Sequence, residues 1–365
     1  MAEREYVELE RLDVNSIPTS AGTGVVRKMT REIWLNECFP EWHQMINLEI
    51  EKAKFPKGSF GLWMLGGPSW AFKSAGGATF LVDNYSGSSL NSEYHYCGVC
   101  RTSGAPYLTW LRTNPHVIDP WKMQKDLDYV FATHHHQDHA DYYTVMATLD
   151  TTTCKYVGPL NTCKLFRKWG VPEERIVEVK PGDSFKCKDV TVKVEKNYDT
   201  MACMTGDYDP SKPCDFDINA VSYIMDTGEN SVIFLGDTLY HDGYRAVGAR
   251  NKIDLVITDM GHNAPGATDK MNPWDVMRVA QNLGAKVVIP DHYENWASSE
   301  IDPHQLTRIV EENDPNLKVC IMKSGGLYEY PKDKDMKEYK YPDWRERYNV
   351  EKSFVYGNGK PEEKK

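Results

Sequence analysis

Residues 131–139 read FATHHHQDH. Four histidines and an aspartate follow the end of a short apolar run, YVFAT, at positions 129–133. Side chains of an extended segment alternate between two faces, so His134 and His136 share a face and can converge on one ion. His135 projects to the other side and reads as a bystander. Asp138 and His139 open the next segment, ADYYTVMATL, whose pattern predicts a helix, and can turn toward a neighbouring position. Imidazole and carboxylate donors in this combination suit zinc, manganese or iron.

Two further residues repeat the placement. Asp237 closes SVIFLGD and His292 follows KVVIPD. Each stands just beyond the carboxyl end of an apolar run, where α/β folds build their sites. Alone, such an aspartate is a turn or cap residue and such a histidine a structural one. Together with the first motif they point to a metal centre.

Around these residues the pattern is that of a mixed α/β protein. Short β-branched or aromatic runs begin at Phe60 with FGLWML and TFLVD, and continue with VTVKVE, AVSYIM, DLVITD and VCIMK. Helical patterns fall between several of them. In NPWDVMRVAQNLG, Asn272 suits the N-cap, Pro273 the first turn and Gly284 the C-terminal cap. Residues 31–53 carry helical spacing broken at Pro40, which predicts two short helices. The chain therefore divides into an arm with short helices over 1–57, a body over 58–330 in which helices cover the sheets, and a C-terminal tail of mixed charge and aromatics over 331–365.

The balance of 43 basic against 53 acidic residues gives a formal charge of −10, a sign that repels nucleic acid and anionic membrane. No run of lysine or arginine overrides it. No apolar stretch reaches the roughly 20 residues that span a bilayer. The charged start, MAEREYVELERLD, lacks the apolar core of a signal peptide. Nine scattered cysteines predict a reduced, cytoplasmic protein, with Cys97 and Cys100, a single CxxC, read as free thiols.

The pattern H-x-H-x-D-H, then a glycine-aspartate after a strand, then a late strand-end histidine, resembles the metallo-β-lactamase superfamily. That resemblance implies an αββα sandwich with the metal centre at one edge between the sheets, here with an N-terminal helical extension. Within the superfamily the chain is similar to the L-ascorbate-6-phosphate lactonase family in REIWLNECFPEW, KWGVPEERIVEVKPGD, TDKM and AKVVIPDHYENW. It implies one or two divalent ions, manganese or zinc, held by His134, His136, Asp138, His139, Asp237 and His292, and a homo-oligomer.

Some positions depart from the family. Superfamily members place a third histidine between the first motif and the glycine-aspartate, and none occurs from Ala140 to Tyr240. VTVKVE runs instead into KNYDT, which puts Asp199 at a strand end as a carboxylate ligand, a catalytic acid/base or a turn residue. The segment Asn84 to Pro106 matches the family poorly, Leu239 replaces a histidine, and Pro265 stands where the lactonases carry an arginine.

The implied reaction is the opening of a sugar-phosphate lactone. A divalent ion lowers the pKa of water toward about 7, supplying hydroxide to attack the carbonyl, and polarises that carbonyl. Asp138 is placed to orient the attacking group and take its proton. An acidic protein needs a local site for such an anionic substrate. Lys270 stands just before the helix beginning near Asn272, whose unpaired N–H groups favour phosphate. Arg112, Arg278 and His262 are further candidates. Two other readings compete: a metallo-phosphodiesterase or ribonuclease of the same fold, against which the acidic charge argues, and a non-catalytic metal-binding regulatory protein, favoured by the missing middle histidine.

Overall fold

Apolar runs without a polar face become strands covered on both sides. The computed structural model describes residues 40–86, 113–206, 209, 211–263, 268–296 and 299–341. Arg112, Pro265, Cys97, Cys100 and most of the segment from Asn84 to Pro106 lie outside them, as does the first of the two helices predicted around Pro40.

The described chain begins with α1 (Pro40–Lys52), which starts at the proline, where a fixed φ suits the first turn. Three strands follow, β1 (Phe60–Gly66), β2 (Ser69–Ser74) and β3 (Thr79–Val82), then β4 (Tyr129–Phe131). Next come α2 (Tyr142–Thr151), β5 (Lys155–Gly158), α3 (Leu160–Lys168) and β6 (Ile176–Glu178). A second series runs β7 (Ser184–Cys187), β8 (Val190–Lys196), α4 (Thr200–Thr205), α5 (Phe216–Asn219), β9 (Val221–Asp226) and β10 (Ser231–Phe234). It continues with α6 (Gly243–Arg250), β11 (Leu255–Asp259), α7 (Pro273–Leu283), β12 (Val287–Asp291), α8 (His304–Asn313) and β13 (Lys318–Val319). The last strand, β14 (Leu327–Tyr330), returns to pair with β1.

Two seven-stranded sheets result, ordered β14-β1-β2-β3-β4-β5-β6 and β13-β12-β11-β10-β9-β8-β7. Each is antiparallel in one half and parallel in the other, the parallel parts being β3 to β6 and β10 to β13. Period-two alternation sorts the side chains into layers. Phe60, Leu62 and Met64 of β1 face the second sheet, meeting Val190, Val192 and Val194 of β8 in the central core. Trp63 and Leu65 turn the other way, onto Ile46 and Ile50 of α1 and Phe166 of α3. In the second sheet Val232 and Phe234 enter the central core, while Ile233 and Leu235 lie under Tyr244, Val276 and Leu306 of α6, α7 and α8. The architecture is αββα, as the resemblance implies.

The best-defined predicted helix forms as α7. Asn272 accepts hydrogen bonds from the N–H groups of Trp274 and Asp275, and Gly284 takes a left-handed φ of 68° at the C-terminal end. Among the described residues no helix is long and apolar enough to cross a membrane.

Residues 331–341, the start of the C-terminal tail, dock on the body: Tyr339 N–H donates to Ile321 O at 2.8 Å, Tyr341 Oη donates to Ser324 O at 2.8 Å, and Met336 packs against the central core. That stretch carries enough aromatic surface to be held by the sheet it follows. Cys203 of α4 lies against Cys214 of the segment before α5. Cys154, Cys163, Cys187 and Cys320 are free and buried.

Candidate metal centre

Strand ends place the site. His134, Asp199 and Asp237 each follow a strand by three residues, counting from Phe131, Lys196 and Phe234, and His292 follows β12 directly. The first of these strands belongs to one sheet and the others to the second, so the side chains meet at the edge between them. A bridge between His134 and Ala220 and the Val221 N–H to Thr133 O bond of 2.9 Å stitch the two sheets together there. Gly236 has a φ of 70°, and a Cβ at that position would collide with the Thr133 side chain, so the turn that delivers Asp237 requires glycine. His292 itself adopts a φ of 61°, a conformation uncommon outside glycine and found at functional sites.

Hydrogen bonds on the outer ring atoms aim the inner ones. Thr133 Oγ1 donates to Asp83 Oδ2 at 2.7 Å and so receives the Nδ1–H of His134 at 3.1 Å. Asp83 Oδ2 also accepts the Nδ1–H of His139 at 2.9 Å. Thr205 Oγ1 donates to Met201 O at 2.7 Å, which leaves it to accept from His136 Nε2 at 2.7 Å. The network therefore turns His134 Nε2, His136 Nδ1 and His139 Nε2 inward, the first two 2.9 Å apart. Asp138 Oδ2 accepts from Trp296 Nε1 at 3.1 Å and Asn295 Nδ2 at 3.2 Å, and lies 3.1 Å from His292 Nε2. Asp199 caps α4, its Oδ1 accepting from the N–H groups of Met201 and Ala202, while Oδ2 faces His134 Nε2 at 3.6 Å.

Among the buried polar atoms of the site, His139 Nε2, His292 Nδ1 and Nε2, Asp199 Oδ2 and Asp237 Oδ1 have no well-formed hydrogen bond. Buried polar atoms are rarely left so, and a cation among them is one remedy. Donor atoms of His134, His136 and Asp199 lie within 4.8 Å of one another, as do those of Asp138, His139 and His292, and Asp237 joins His134 and His139 in a third such group. The residues present fit a divalent ion.

Electrostatics agree with this. Burial and the neighbouring imidazoles hold His134 well below the ordinary histidine value, and burial with His135 brings His136 down to about 3, so both are neutral. His139 is raised well above its ordinary value, because the Asp237, Asp83 and Asp138 carboxylates outweigh its burial. Burial would also raise Asp138 and Asp237, but His139 and His292 hold Asp138 down, and His292, Lys270 and His139 hold Asp237 down. Burial and Asp237 push Asp199 up.

A family model for the beta-lactamase superfamily domain matches residues 105–293. Over 333 residues the chain is 34% identical to a probable L-ascorbate-6-phosphate lactonase of Salmonella gallinarum, covering 87% of this chain and 94% of the relative. This chain belongs to the metallo-β-lactamase superfamily, in its L-ascorbate-6-phosphate lactonase family. Solved superfamily-like structures share the fold. An isothiocyanate hydrolase from Delia radicum gut bacteria superposes with a TM-score of 0.56 at 18% identity, over 73% of this chain and 98% of its own. Igni18, a metallo hydrolase from Ignicoccus hospitalis, gives 0.54 at 16% identity, over 74% and 98%. Superfamily membership and the histidine and aspartate clusters make the protein a metal-dependent hydrolase.

Of the residues singled out in the sequence, the structure gathers His134, His136, Asp138, His139, Asp199, Asp237 and His292 at this one metallo-β-lactamase edge. Asp138 and His139 lie in the turn before α2, whose N-cap is Asp141, rather than opening the helix. His135 is not turned wholly away: its Nε2 lies 3.1 Å from the same Thr205 hydroxyl that holds His136. Lys270 differs most. Its Nζ turns inward to pair with Asp237 Oδ2 instead of standing at the start of α7. The cause is the carboxylates behind it, buried Asp237 and Asp259 and half-buried Asp269, which hold its ammonium above the usual lysine range against the effect of burial. Arg278 lies over the Tyr240 ring at 3.9 Å and near Asp275, and exposed His262 donates only a backbone N–H to Ser299 O. Neither joins the cluster. Asp83, Thr133, Thr205, Asn295, Trp296 and Asp269 were not singled out. Asp269 brings a carboxylate within 4.8 Å of donor atoms of His136 and Asp237.

Proposed function

We propose that this metal-dependent hydrolase opens a lactone, and that its substrate is a phosphorylated sugar lactone or a close relative. The lactone reading rests on similarity to the lactonase family over 87% of the chain. The hydrolytic reading rests on one observation: the imidazoles of His139 and His292 converge at 3.4 Å on one carboxylate oxygen, Asp237 Oδ1, at a sheet edge. The protein is taken to work in the cytoplasm with manganese or zinc, as a homo-oligomer.

Two sets of residues could hold a divalent ion: His134, His136 and Asp199, with Asp199 taking the part of the missing histidine, and Asp138, His139 and His292. A bound divalent ion supplies Lewis acidity toward the ester carbonyl and lowers the pKa of water. The chain's own residues do the rest. Asn295 and Trp296 grip Asp138 Oδ2, so its carboxylate is oriented to accept the proton of the attacking water and pass it toward the leaving alkoxide. Asp83 and Thr133 keep His134 and His139 in the tautomers that coordination needs. No serine or cysteine nucleophile is required.

The test is turnover of a lactone panel and a phosphodiester panel by protein supplied with manganese or zinc. Lactone opening without phosphodiester cleavage is expected. Phosphodiester cleavage alone would replace this reading with the nuclease one, and no turnover with metal bound would favour a regulatory protein.

A further inference from the structure

Lys270 is a buried lysine paired with a carboxylate of the donor cluster, its side chain 5% exposed and that of its partner Asp237 3% exposed. Its position is built rather than accidental. The Lys270 N–H donates to Asn263 Oδ1 at 3.0 Å, and Asn263 Nδ2 returns a bond to Lys270 O at 3.0 Å. On either side, Gly261 N–H donates to Met271 O at 3.0 Å and Met271 N–H to Asp259 Oδ2 at 3.3 Å. The loop is pinned so that its ammonium arrives on Asp237 Oδ2.

Asp237 links the two groups of donors, joining His134 and His139 in one further group and His136 and Asp269 in another. Its two oxygens are already differentiated. Oδ1 lies 3.4 Å from both His139 Nε2 and His292 Nε2, which directs it to the Asp138, His139 and His292 set. Oδ2 belongs to Lys270. A second divalent ion on the His134, His136 and Asp199 side would have to displace the ammonium from Oδ2 or share Oδ1 while facing a neighbouring fixed positive charge. Like charges on one buried carboxylate repel strongly, because little water screens them.

We infer that Lys270 is the resident counter-cation of this centre, occupying Asp237 Oδ2 and limiting the chain to one tightly held divalent ion. This rests on the metal-dependent reading above and deepens it: Lys270 acts through Asp237 as a positioning residue and does not contact the substrate's phosphate.

The experiment reads ions per chain. Full-length protein is stripped with chelator, loaded with Mn²⁺, desalted and analysed for metal, and its electron paramagnetic resonance spectrum is recorded. Wild type is expected to hold about one ion, with the six-line signal of isolated Mn²⁺, and Lys270→Met about two, with a spin-coupled signal. Lys270→Arg, which keeps the charge, is expected to stay at about one ion. Circular dichroism checks that each variant is folded. Should Lys270→Met be unfolded without metal, Lys270→Arg and the wild-type spectrum still decide. Two ions in wild type, or one in folded Lys270→Met, overturns the inference alone. No ion in wild type overturns it together with the metal-dependent reading.

Discussion

Asp83 and His139, 56 positions apart in the chain, meet with Oδ2 and Nδ1 2.9 Å apart, and the carboxylate also accepts from the Thr133 hydroxyl and N–H, each at 2.7 Å. A single buried carboxylate therefore sets the orientation of two imidazoles, His139 directly and His134 through Thr133. Replacing it should loosen both. Asp83→Asn keeps the size and tolerates the φ of 47° at this position. It is expected to weaken metal affinity about 10- to 100-fold while the fold persists. A competition titration against a chelator measures this, and unchanged affinity would remove Asp83 from the orienting role.

Asp138→Ala and His292→Ala each remove a donor of the group that Asp138, His139 and His292 form. Both variants should lose hydrolytic activity to the assay floor and bind less metal than wild type. Elemental analysis beside a turnover assay checks the pair. A variant that keeps full turnover would take that residue out of the ligand set.

Proton and metal compete for the same atoms. His139 is held above its ordinary 6.5 when no ion is present, so loading must expel its proton, and metal affinity should fall as the pH is lowered. The stability of ion-free protein follows the opposite sign. The His139 contribution is fully present below pH 6.5 and is lost as pH rises through the raised value. The Asp138 and Asp237 contributions are present above 3.8 and are lost as pH falls through their lowered values. Melting curves with chelator should therefore show stability declining on the alkaline side of neutrality, and curves with excess metal should show that decline abolished. Parallel profiles would contradict the titration ascribed to His139.

Phe131 is fully buried three residues before His134 and packs its ring against Phe80 and Tyr223 at centroid distances of 5.2 and 4.9 Å. Phe131→Ala should cost about 3–5 kcal/mol of folding stability. Denaturant unfolding with chelator present gives that number free of any metal contribution. A loss under about 1 kcal/mol would mean the site collapses around the cavity.

The sandwich could be read from the sequence because its strands are apolar on both faces and its site residues sit where strands end. FGLWML and SVIFLGD show this directly, and His134, Asp237 and His292 follow from it. Asp83 was legible by the same logic, since TFLVD is an apolar run closed by an aspartate just as SVIFLGD is, but nothing local links it to a histidine 56 positions away. Thr205, Asn295 and Trp296 act through contacts that only the packing of separate elements creates. The direction of Lys270 was illegible for a related reason. A lysine before a helix start satisfies the rule for anion binding, and only the fold reveals three carboxylates behind it.

The centre draws His134, His136, Asp138 and His139 from one sheet and Asp199, Asp237 and His292 from the other. An ion held there is a clasp across the open edge of a two-leaved molecule as well as a reagent. Its binding adds stability as the logarithm of its concentration, about 4 kcal/mol at a thousandfold excess over the dissociation constant. Where the cation is scarce, the amide hydrogen of Val221, which donates to Thr133 O across that edge, becomes the natural gauge of how much metal the protein carries.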